Sequence, residues 1–271
     1  NYPVTGLCKV IGVSTSAYYA REQGCNETSP EAWRLKQKMK ELFAASNGSL
    51  GSRQMMKKLR KAGFDIGRYR TRTLMREESL VVRRKKRFVV TTDSNHAEPI
   101  AENLLDRQFI QSEKNTVWTT DITYLWTMQG WVYLAVVLDL YSRRIVGWSM
   151  DEHMETNLVS RALKMAINLR SPDEGLMHHS DRGSQYASKA YRKLLADNGM
   201  ICSMSRKGNC WDNSPTERFF SSLKREWVTG KIYPTKESVV TDVNAYIAYY
   251  NGSRLHTTIG DMTPIEFEEC A

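Results

Sequence analysis

The sequence lacks the features that place a protein outside the cell or in a membrane. Its five cysteines are scattered over 271 residues without a C-x-x-C pair, so they form no disulfide framework; we expect reduced thiols. The longest uninterrupted apolar run, residues 131–138, is eight residues long, far short of the roughly 20 that cross a bilayer. The chain opens on no apolar signal segment. We therefore expect a soluble cytoplasmic protein with no membrane partner.

Zinc is the other use of cysteine that the sequence leaves open. Cys202 and Cys210, together with His178 and His179, are donors of the type that zinc prefers. Their spacing matches no known zinc module. Buried thiols therefore remain the favoured interpretation of these cysteines.

Acidic residues are scarce in one part of the chain. Residues 31–90 hold 18 Lys and Arg against five Asp and Glu, a local charge of +13, whereas the other 211 residues carry 21 basic and 25 acidic side chains. A solvated surface is one explanation, but so one-sided a block repels itself unless an anion neutralises it. Nucleic acid is the usual partner, because each neutralised phosphate releases counterions. The segment therefore predicts nucleic-acid binding.

The N-terminal third has the pattern of short helices joined by tight turns. Helices are predicted to end near residue 11 and to cover residues 14–21, 31–45, 52–63 and 68–78, with Ser14 and Ser52 as N-caps. Three arginines share one face of the last of these helices, whereas Thr71, Leu74 and Met75 share another. Those arginines are Arg68, Arg72 and Arg76.

A helix with one docking face and one basic face is built like a DNA recognition helix. An ordinary helical domain with exposed arginines is the alternative. The run that follows continues the positive surface and favours the first interpretation; it consists of Arg83, Arg84, Lys85, Lys86 and Arg87.

Four regions are predicted along the chain. Residues 1–29 form a helix-turn-helix-like segment, residues 30–90 a basic helical DNA-binding domain, residues 91–114 a linker with one short helix, and residues 115–271 the main core. In this core, strands are predicted at 117–127, 131–138, 144–150, 176–179 and 201–204. Helices are predicted at 158–169, 188–197, 215–227 and 235–250. This order describes a mixed α/β sheet with helices on both faces.

Three acidic residues stand out by their positions in this core. Asp121 lies inside the first strand, where an ionised carboxylate is costly unless it faces water or a cation. Asp181 ends the short fourth strand, and the carboxyl ends of strands are where open α/β folds keep their ligands. Glu217 lies on the first turn of the helix that follows Ser214. If the three converge, Mg²⁺ would relieve their repulsion, because it prefers hard oxygen ligands.

Each of these carboxylates also has a simpler explanation. Asp121 could point to water, and Asp181 could be a turn aspartate ahead of Gly183. Ser214 and Glu217 fit a capping box, in which the serine is the N-cap and the glutamate is N3. Taken together, the three positions favour metal binding. Ser221 and Lys224 share the face of Glu217, which suits a helix laid against a phosphodiester backbone.

At these residues the sequence resembles a known family. It is similar to the OrfB-type transposases of insertion sequences, whose core is similar to retroviral integrase and ribonuclease H. The matching stretches are residues 117–124, 138–148, 179–186, 203–209, 212–217 and 223–226, with Tyr250, Asn251, Arg254 and His256. The 35 residues between Asp181 and Glu217 also match the D-D-E spacing of the family.

The resemblance implies a ribonuclease H-like α/β core with flanking helices, preceded by small all-α helix-turn-helix segments. It further implies an enzyme that cuts the element ends and joins the freed 3′-OH to another phosphodiester. Asp121, Asp181 and Glu217 would hold two Mg²⁺ ions, with Mn²⁺ as a substitute. The implied partners are double-stranded DNA (element ends and target DNA), a second copy as a homodimer on DNA, and a possible fusion with an upstream DNA-binding reading frame. We also expect Arg206, Lys207 and Lys224 to contact DNA. The protein itself is expected to associate with the bacterial nucleoid.

Other functions remain open from the sequence. A nuclease of the same core would cut without joining, and a DNA-binding repressor would use residues 1–90 without catalysis. A serine hydrolase is disfavoured, because Ser180 beside His179 lacks the G-x-S-x-G turn that such a site uses.

Overall fold

The computed structural model describes residues 3–22, 29–82, 100–206 and 210–270. It divides into two compact units, residues 1–83 and residues 84–271. Within the described ranges, no helix is long and apolar enough to cross a membrane. The predicted basic run at residues 83–87, like Lys207, lies outside the described residues.

The described residues of the first unit form five helices. They are α1 (Val4–Ile11), α2 (Thr15–Glu22), α3 (Pro30–Ala45), α4 (Ser52–Lys61) and α5 (Arg68–Glu77). Gly12, at φ 68°, turns the chain between the first two helices, and the Ser14 hydroxyl accepts a hydrogen bond from the Ala17 amide at 3.2 Å. The positive φ favours glycine, which lacks a Cβ. The predicted boundaries of these helices agree with the observed boundaries to within a few residues.

Helices α3, α4 and α5 enclose a small apolar core. Its buried members are Leu35, Met39, Leu50, Met55, Leu59, Ile66 and Met75. Lys36 and Lys40 each reach Glu78 at 2.8 Å, which ties α3 to the end of α5. One prediction is wrong here: Ser52 is the first residue of α4, and the N-cap is Gly51, which has no side chain to cap with.

The described residues of the second unit form a five-stranded mixed sheet with helices on both faces. Its elements follow the order β1 (Val117–Thr127), β2 (Gly130–Asp139), β3 (Ile145–Asp151), α6 (Thr156–Arg170), β4 (Met177–Ser180), α7 (Ser184–Ala187), α8 (Lys189–Asp197), β5 (Ile201–Met204), α9 (Ser214–Leu223), α10 (Lys236–Gly252) and α11 (Pro264–Glu269). The strand order is β3-β2-β1-β4-β5. Strands β1 to β3 are antiparallel, whereas β4 and β5 join in parallel. The predicted α/β class is confirmed.

The alternation of side chains along β1 separates two apolar cores. Trp118 and Ile122 face the core formed with α6, α7 and α8. Val117 and Leu125 face the core formed with α9 and α10. Successive residues of a strand point to opposite faces, so Asp121 belongs to the face of α9 and α10.

Helix α6 lies unusually close to β3. A Cβ on Gly147 would stand 2.2 Å from the Ala162 carbonyl oxygen, on backbone that cannot yield locally. Only glycine permits this approach, because it has no Cβ. Helix α6 therefore packs closely against the face of the sheet opposite α9.

Several local features go beyond or differ from the predictions. Described residues 100–116 form turns and bends; the short helix predicted in the linker at residues 91–114 does not lie in them, and residues 91–99 are outside the described residues. The four-residue α7 and the six-residue α11 were not predicted, because so short an apolar period gives no clear signal. The helix predicted to run to residue 227 is α-helical only to Leu223 and continues as a π-helical segment, Lys224–Val228.

Candidate active site at the junction of β1, β4 and α9

Asp121 lies in the part of β1 that extends past β4. Its Oδ1 accepts a hydrogen bond from the Ile122 amide at 2.8 Å, and the residue is partly buried. One carboxylate oxygen is therefore held by the backbone, while part of the residue stays accessible. Its position inside a strand fixes the backbone from which the carboxylate projects.

Asp181 lies beside Asp121 because of the register of two parallel strands. Val117 pairs with Met177 and Thr119 with His179, a constant offset of 60 positions. The same offset separates Asp121 from Asp181, which directly follows the last residue of β4. Neighbouring strands lie about 4.8 Å apart, so this register carries the two backbones side by side.

Asp181 also shapes the turn that follows β4. Its Oδ1 accepts a hydrogen bond from the Gly183 amide at 2.9 Å. A Cβ on Gly183 would stand 3.0 Å from that oxygen and 2.9 Å from Gln185 Oε1. The turn role considered from the sequence is thus real, and it fixes the orientation of the carboxylate.

Glu217 is brought to β1 by its neighbours on the first turn of α9. The hydroxyls of Thr216 and Thr119 are 2.7 Å apart and fully buried. The Asn213 side-chain amide donates to the Thr120 carbonyl at 2.9 Å. Thr119 lies two residues before Asp121, on the same face of β1. These bonds therefore place the start of α9 next to Asp121.

The capping box proposed for Glu217 is absent. The N-cap of α9 is Asn213 with no side-chain capping bond, and Ser214 is already inside the helix. A capping box does form elsewhere, between Thr263 and Glu266 at the start of α11. The principal alternative to a ligand role for Glu217 is thereby removed.

The three carboxylates interact electrostatically. Burial raises the pKa of Asp121 well above its ordinary value, and the charges of Asp181 and Glu217 raise it further. Burial and then the charge of Asp181 raise the pKa of Glu217. Such shifts are typical of carboxylates gathered at a functional site.

The donor set suits a hard divalent cation. Three carboxylates supply only oxygen ligands, as Mg²⁺ prefers. In the described part of the chain, no group of three or more His, Cys, Asp or Glu side chains is placed to hold a metal ion, and this includes Asp121, Asp181 and Glu217, so their convergence around a metal stays a prediction. The same result applies to the zinc alternative, as far as Cys202, His178 and His179 are concerned. The side chain of Cys210 is not described. His179 instead lies between the Ser203 and Ser205 hydroxyls at 2.9 and 3.1 Å.

Lys224 extends the site beyond the carboxylates. Its ammonium nitrogen lies 4.7 Å from the centre of the Tyr124 ring. Burial lowers the pKa of Lys224, and the charge of Asp121 opposes that effect. Ser221, on the same face of α9, is exposed. Lys224, in the π-helical segment after α9, thus interacts with Asp121, whereas a place for the Ser221 hydroxyl beside the carboxylates stays a prediction.

The buried carboxylate of Asp212 was not singled out from the sequence. It accepts hydrogen bonds from Arg206 at 3.0 Å, Arg107 at 2.9 Å and Asn103 at 3.0 Å. The hydrogen bonds and charge of Arg206 outweigh desolvation and lower the pKa of Asp212. Arg206 therefore has a structural partner ahead of α9, and its predicted contact with DNA remains a prediction.

The three arginines predicted to read DNA lie on α5. Arg68, Arg72 and Arg76 are all exposed, whereas Thr71 and Met75 of the same helix are buried. The amphipathic division of this helix is as predicted. Contact between the basic face and DNA stays a prediction.

Comparison with known proteins agrees with this architecture. The integrase core domain family matches residues 111–210 and, in a second profile, residues 198–264. An HTH-like domain family matches residues 31–88. A chain of the simian T-cell lymphotropic virus intasome superposes with a TM-score of 0.50 at 15% identity, over 65% of this chain and 60% of that chain. The second unit thus has the integrase-type, ribonuclease H-like fold.

Relatives of nearly equal length define the family. The 31 kDa protein of insertion element IS600 from Shigella sonnei is 39% identical over 97% of both chains. The transposase InsF of insertion sequence IS3A from Escherichia coli is 34% identical over 98% of this chain and 94% of its own. The chain belongs to the family of insertion-sequence transposases that includes the IS3 transposase. Membership of this family supports polynucleotidyl transfer as the general activity of the chain.

Proposed function

We propose that this transposase cuts the ends of its insertion sequence and joins the freed 3′-OH to another phosphodiester. Asp121, Asp181 and Glu217 are the proposed catalytic and metal-binding residues. The strongest support is the constant offset of 60 positions in the pairing of β1 with β4, which brings Asp121 and Asp181 side by side. The buried bond between Thr119 and Thr216 adds the helix that carries the glutamate.

The three carboxylates would hold a pair of Mg²⁺ ions, with Mn²⁺ as a substitute. When bound, such ions supply activation of the attacking oxygen and stabilisation of the leaving oxygen. The protein's own contribution is to orient the ligands: the Ile122 and Gly183 amides fix one oxygen of each aspartate. Lys224 would contact a backbone phosphate next to the bond that is cut.

The first unit is proposed to recognise double-stranded DNA at the element ends. The support is its local charge, the exposed arginine face of α5 and the match to an HTH-like family. Joining two ends requires two active sites, so the proposed working form is a homodimer on DNA. A fusion with an upstream DNA-binding reading frame would add further end recognition.

The test is a cleavage and strand-transfer assay on labelled end DNA with Mg²⁺. Asp121→Asn, Asp181→Asn and Glu217→Gln should each lower cleavage at least roughly a hundredfold, because metal stabilisation is worth several kcal/mol. DNA binding should stay nearly unchanged. The control is Asp197→Asn, an exposed carboxylate at the end of α8.

Two other outcomes would replace the proposal. Cleavage without any joined product would identify a nuclease of the same fold. Binding to end DNA without metal-dependent cleavage, together with no uptake of Mn²⁺, would identify a non-enzymatic repressor.

A further inference from the structure

Three side chains that can donate hydrogen bonds lie where the turn between β2 and β3 meets α9 and α10. Arg143 belongs to the turn, Arg218 to α9 and Tyr250 to α10. We call these three residues the donor cluster. The family resemblance of the sequence covers Arg143 and Tyr250, but the proposed active site uses neither of them.

Contacts of neighbouring residues bring the turn and the two helices together. The Asn251 side chain exchanges two hydrogen bonds of 2.9 Å with the backbone of Ile145, two residues after the arginine of the turn. The ring centres of Tyr250 and Phe219 are 4.8 Å apart, and Phe219 directly follows Arg218 along α9. These contacts place Tyr250 beside both the turn and α9.

Arg143 is held firmly but keeps one nitrogen unused. Its φ of 64° is one that residues other than glycine rarely adopt, and its Nη2 donates to the Phe109 carbonyl at 2.7 Å. Its Nη1 is buried and has no hydrogen-bond acceptor within the described residues. A buried donor without an acceptor is costly, and more so on a charged group.

The other two members of the donor cluster also have no acceptor. Tyr250 is only 5% exposed, yet its hydroxyl forms no hydrogen bond with the described residues. Arg218 is exposed and makes no ion pair with them. Buried polar groups are nearly always paired. One acceptor from outside the chain would satisfy all three side chains.

The donor cluster carries positive charge that no ion pair offsets. Burial lowers the pKa of Arg143 most, and the charge of Arg218 lowers it further, although Tyr250 and Asp139 oppose the change. The oxygens of Asp139 are already occupied, since they accept hydrogen bonds from two backbone amides and from Arg170. Within the described residues, the two guanidinium groups therefore repel each other without an ion pair to either.

The donor cluster borders the proposed active site. Arg218 directly follows Glu217 on α9, and both residues are accessible, whereas Phe220 of the same helix is buried. Phe220 and Tyr250 belong to the core on the α9 and α10 side of the sheet, which is also the side of Asp121. A DNA strand that runs from the carboxylates over the accessible side of α9 therefore reaches the donor cluster without crossing the sheet.

We propose that Arg143, Arg218 and Tyr250 form a binding site for a backbone phosphate of the DNA strand held at the active site. This inference rests on the proposed function, which supplies the strand. Phosphate oxygens accept hydrogen bonds, and all three side chains can donate them. The fork of a guanidinium group also matches the geometry of a phosphate. Because phosphate contacts fix the register of DNA without reading its sequence, the donor cluster would position the strand.

End DNA with one neutral methylphosphonate linkage, moved step by step along the strand, tests the contact. The full chain is titrated without metal, so the measurement does not require cleavage. At one or a few adjacent linkages near the cut bond, we expect the neutral group to weaken binding of the unsubstituted protein roughly tenfold, because a charged hydrogen bond is lost. At the same linkages, Arg218→Ala should lose most of this sensitivity, since the variant already lacks the contact.

Two further variants complete the experiment. Tyr250→Phe removes only a hydroxyl that has no partner within the described residues, so urea unfolding should change little while binding of end DNA weakens several-fold. Lys193→Ala is the matched control, since it removes an exposed positive charge from α8, which packs on the opposite face of the sheet. This control should keep its full sensitivity to the neutral linkage. Arg218→Ala should also lower the magnitude of the salt slope by about one.

Additive effects of Arg218→Ala and of the neutral linkage at every position would overturn the inference, as would an equal loss of sensitivity in Lys193→Ala. A site for free phosphate alone would also overturn it. In that case inorganic phosphate would raise the melting temperature of the unsubstituted protein more than that of Arg218→Ala, and no neutral linkage would matter. Failure of the proposed function looks different: the unsubstituted chain would not cut end DNA with Mg²⁺, whatever the neutral linkages show.

Discussion

Two threonines join the strand that carries Asp121 to the helix that carries Glu217. Thr119 and Thr216 share a hydrogen bond of 2.7 Å, and both residues are fully buried. Neither threonine is acidic or charged, and no sequence motif marks the pair. Their bond nevertheless fixes the distance between two proposed metal ligands, so at the scale of single residues it is a positioning contact.

Thr216→Val should impair both folding and cleavage. The change leaves the Thr119 hydroxyl buried without this partner, which costs about 1–3 kcal/mol. A small displacement of Glu217 should lower cleavage about tenfold or more. Urea unfolding and the cleavage assay measure the two effects.

The double variant and a control complete this experiment. Thr119→Val with Thr216→Val should recover part of the stability, because replacing both partners leaves no unpaired hydroxyl. Thr241→Val is the matched control, since Thr241 is exposed and its hydroxyl donates to the Glu237 carbonyl one turn earlier in α10. Equal losses in the control and in Thr216→Val would show that the contact has no special role.

Two buried histidines make stability depend on pH. Burial, followed by the nearby charge of Arg254, lowers the pKa of His256 to about 3. Burial, followed by His179, lowers the pKa of His178 to about 3. The unfolded chain therefore binds more protons, and the stability present above pH 6.5 is lost as pH falls towards 3.

The expected result is a free energy of unfolding that decreases from pH 6.5 to pH 4.5. Each histidine contributes up to about 1.4 kcal/mol per pH unit. His256→Asn should reduce the slope by about that amount, whereas exposed His153→Asn should not change it. A slope that is the same in all three proteins would refute the assignment.

At the scale of elements, an ion pair secures the segment that follows α9. Arg254 donates two hydrogen bonds of 2.8 Å to Glu226 in the π-helical turn. Burial alone would raise the pKa of Glu226, but the hydrogen bonds and charge of Arg254 lower it. The side chains are only 21% and 11% exposed, so removing one partner leaves a largely buried charge.

Arg254→Ala should therefore destabilise the fold by roughly 3 kcal/mol. The chain contains a matched control, because Arg225 also contacts Glu226 at 3.3 Å but is 62% exposed. Arg225→Ala should cost well below 1 kcal/mol, as exposed pairs do. Chemical denaturation of both variants measures the difference, and similar costs would contradict the burial argument.

At the scale of the whole molecule, charge is divided unequally between the two units. Residues 1–83 carry 16 basic and seven acidic side chains, a net charge of +9, whereas residues 84–271 carry 23 of each. The catalytic unit thus supplies acidic ligands, whereas the first unit supplies the general attraction to phosphate. We expect affinity for end DNA to depend mainly on the first unit.

Changing Arg68, Arg72 and Arg76 together to Ala in the full chain should weaken end-DNA binding and flatten its salt dependence. For every phosphate that is no longer neutralised, the slope of log affinity against log salt should decrease in magnitude by about one. If Arg72 reads a base, Arg72→Ala should reduce the preference for end sequence by about 1–3 kcal/mol. Binding titrations at several salt concentrations measure both effects.

The control for charge alone is Lys189→Ala with Lys193→Ala on exposed positions of α8. These changes should leave the preference for end sequence unchanged. If they reduce it as much as the arginine changes do, recognition does not belong to α5.

The sequence by itself determined the class of fold, the amphipathic face of α5 and the identity of the three acidic candidates. Runs rich in β-branched and aromatic residues, separated by turn-like segments, predict β1 to β3. Helical patterns after them predict α6, α8 and α10. The spacing of Asp121, Asp181 and Glu217 also carries the family resemblance. These signals are local or motif-based, so they can be read without coordinates.

Tertiary structure alone decided how those residues meet. The offset of 60 between β1 and β4 depends on strand pairing, which no local period encodes. The start of α9 is fixed by Thr119 and Thr120, almost 100 positions away in the sequence. Those distant bonds, and not the local capping pattern, set the helix boundary at Ser214. Side-chain contacts between remote segments form only when the chain is folded. The sequence could therefore identify the three carboxylates as candidates, but it could not predict how they are arranged.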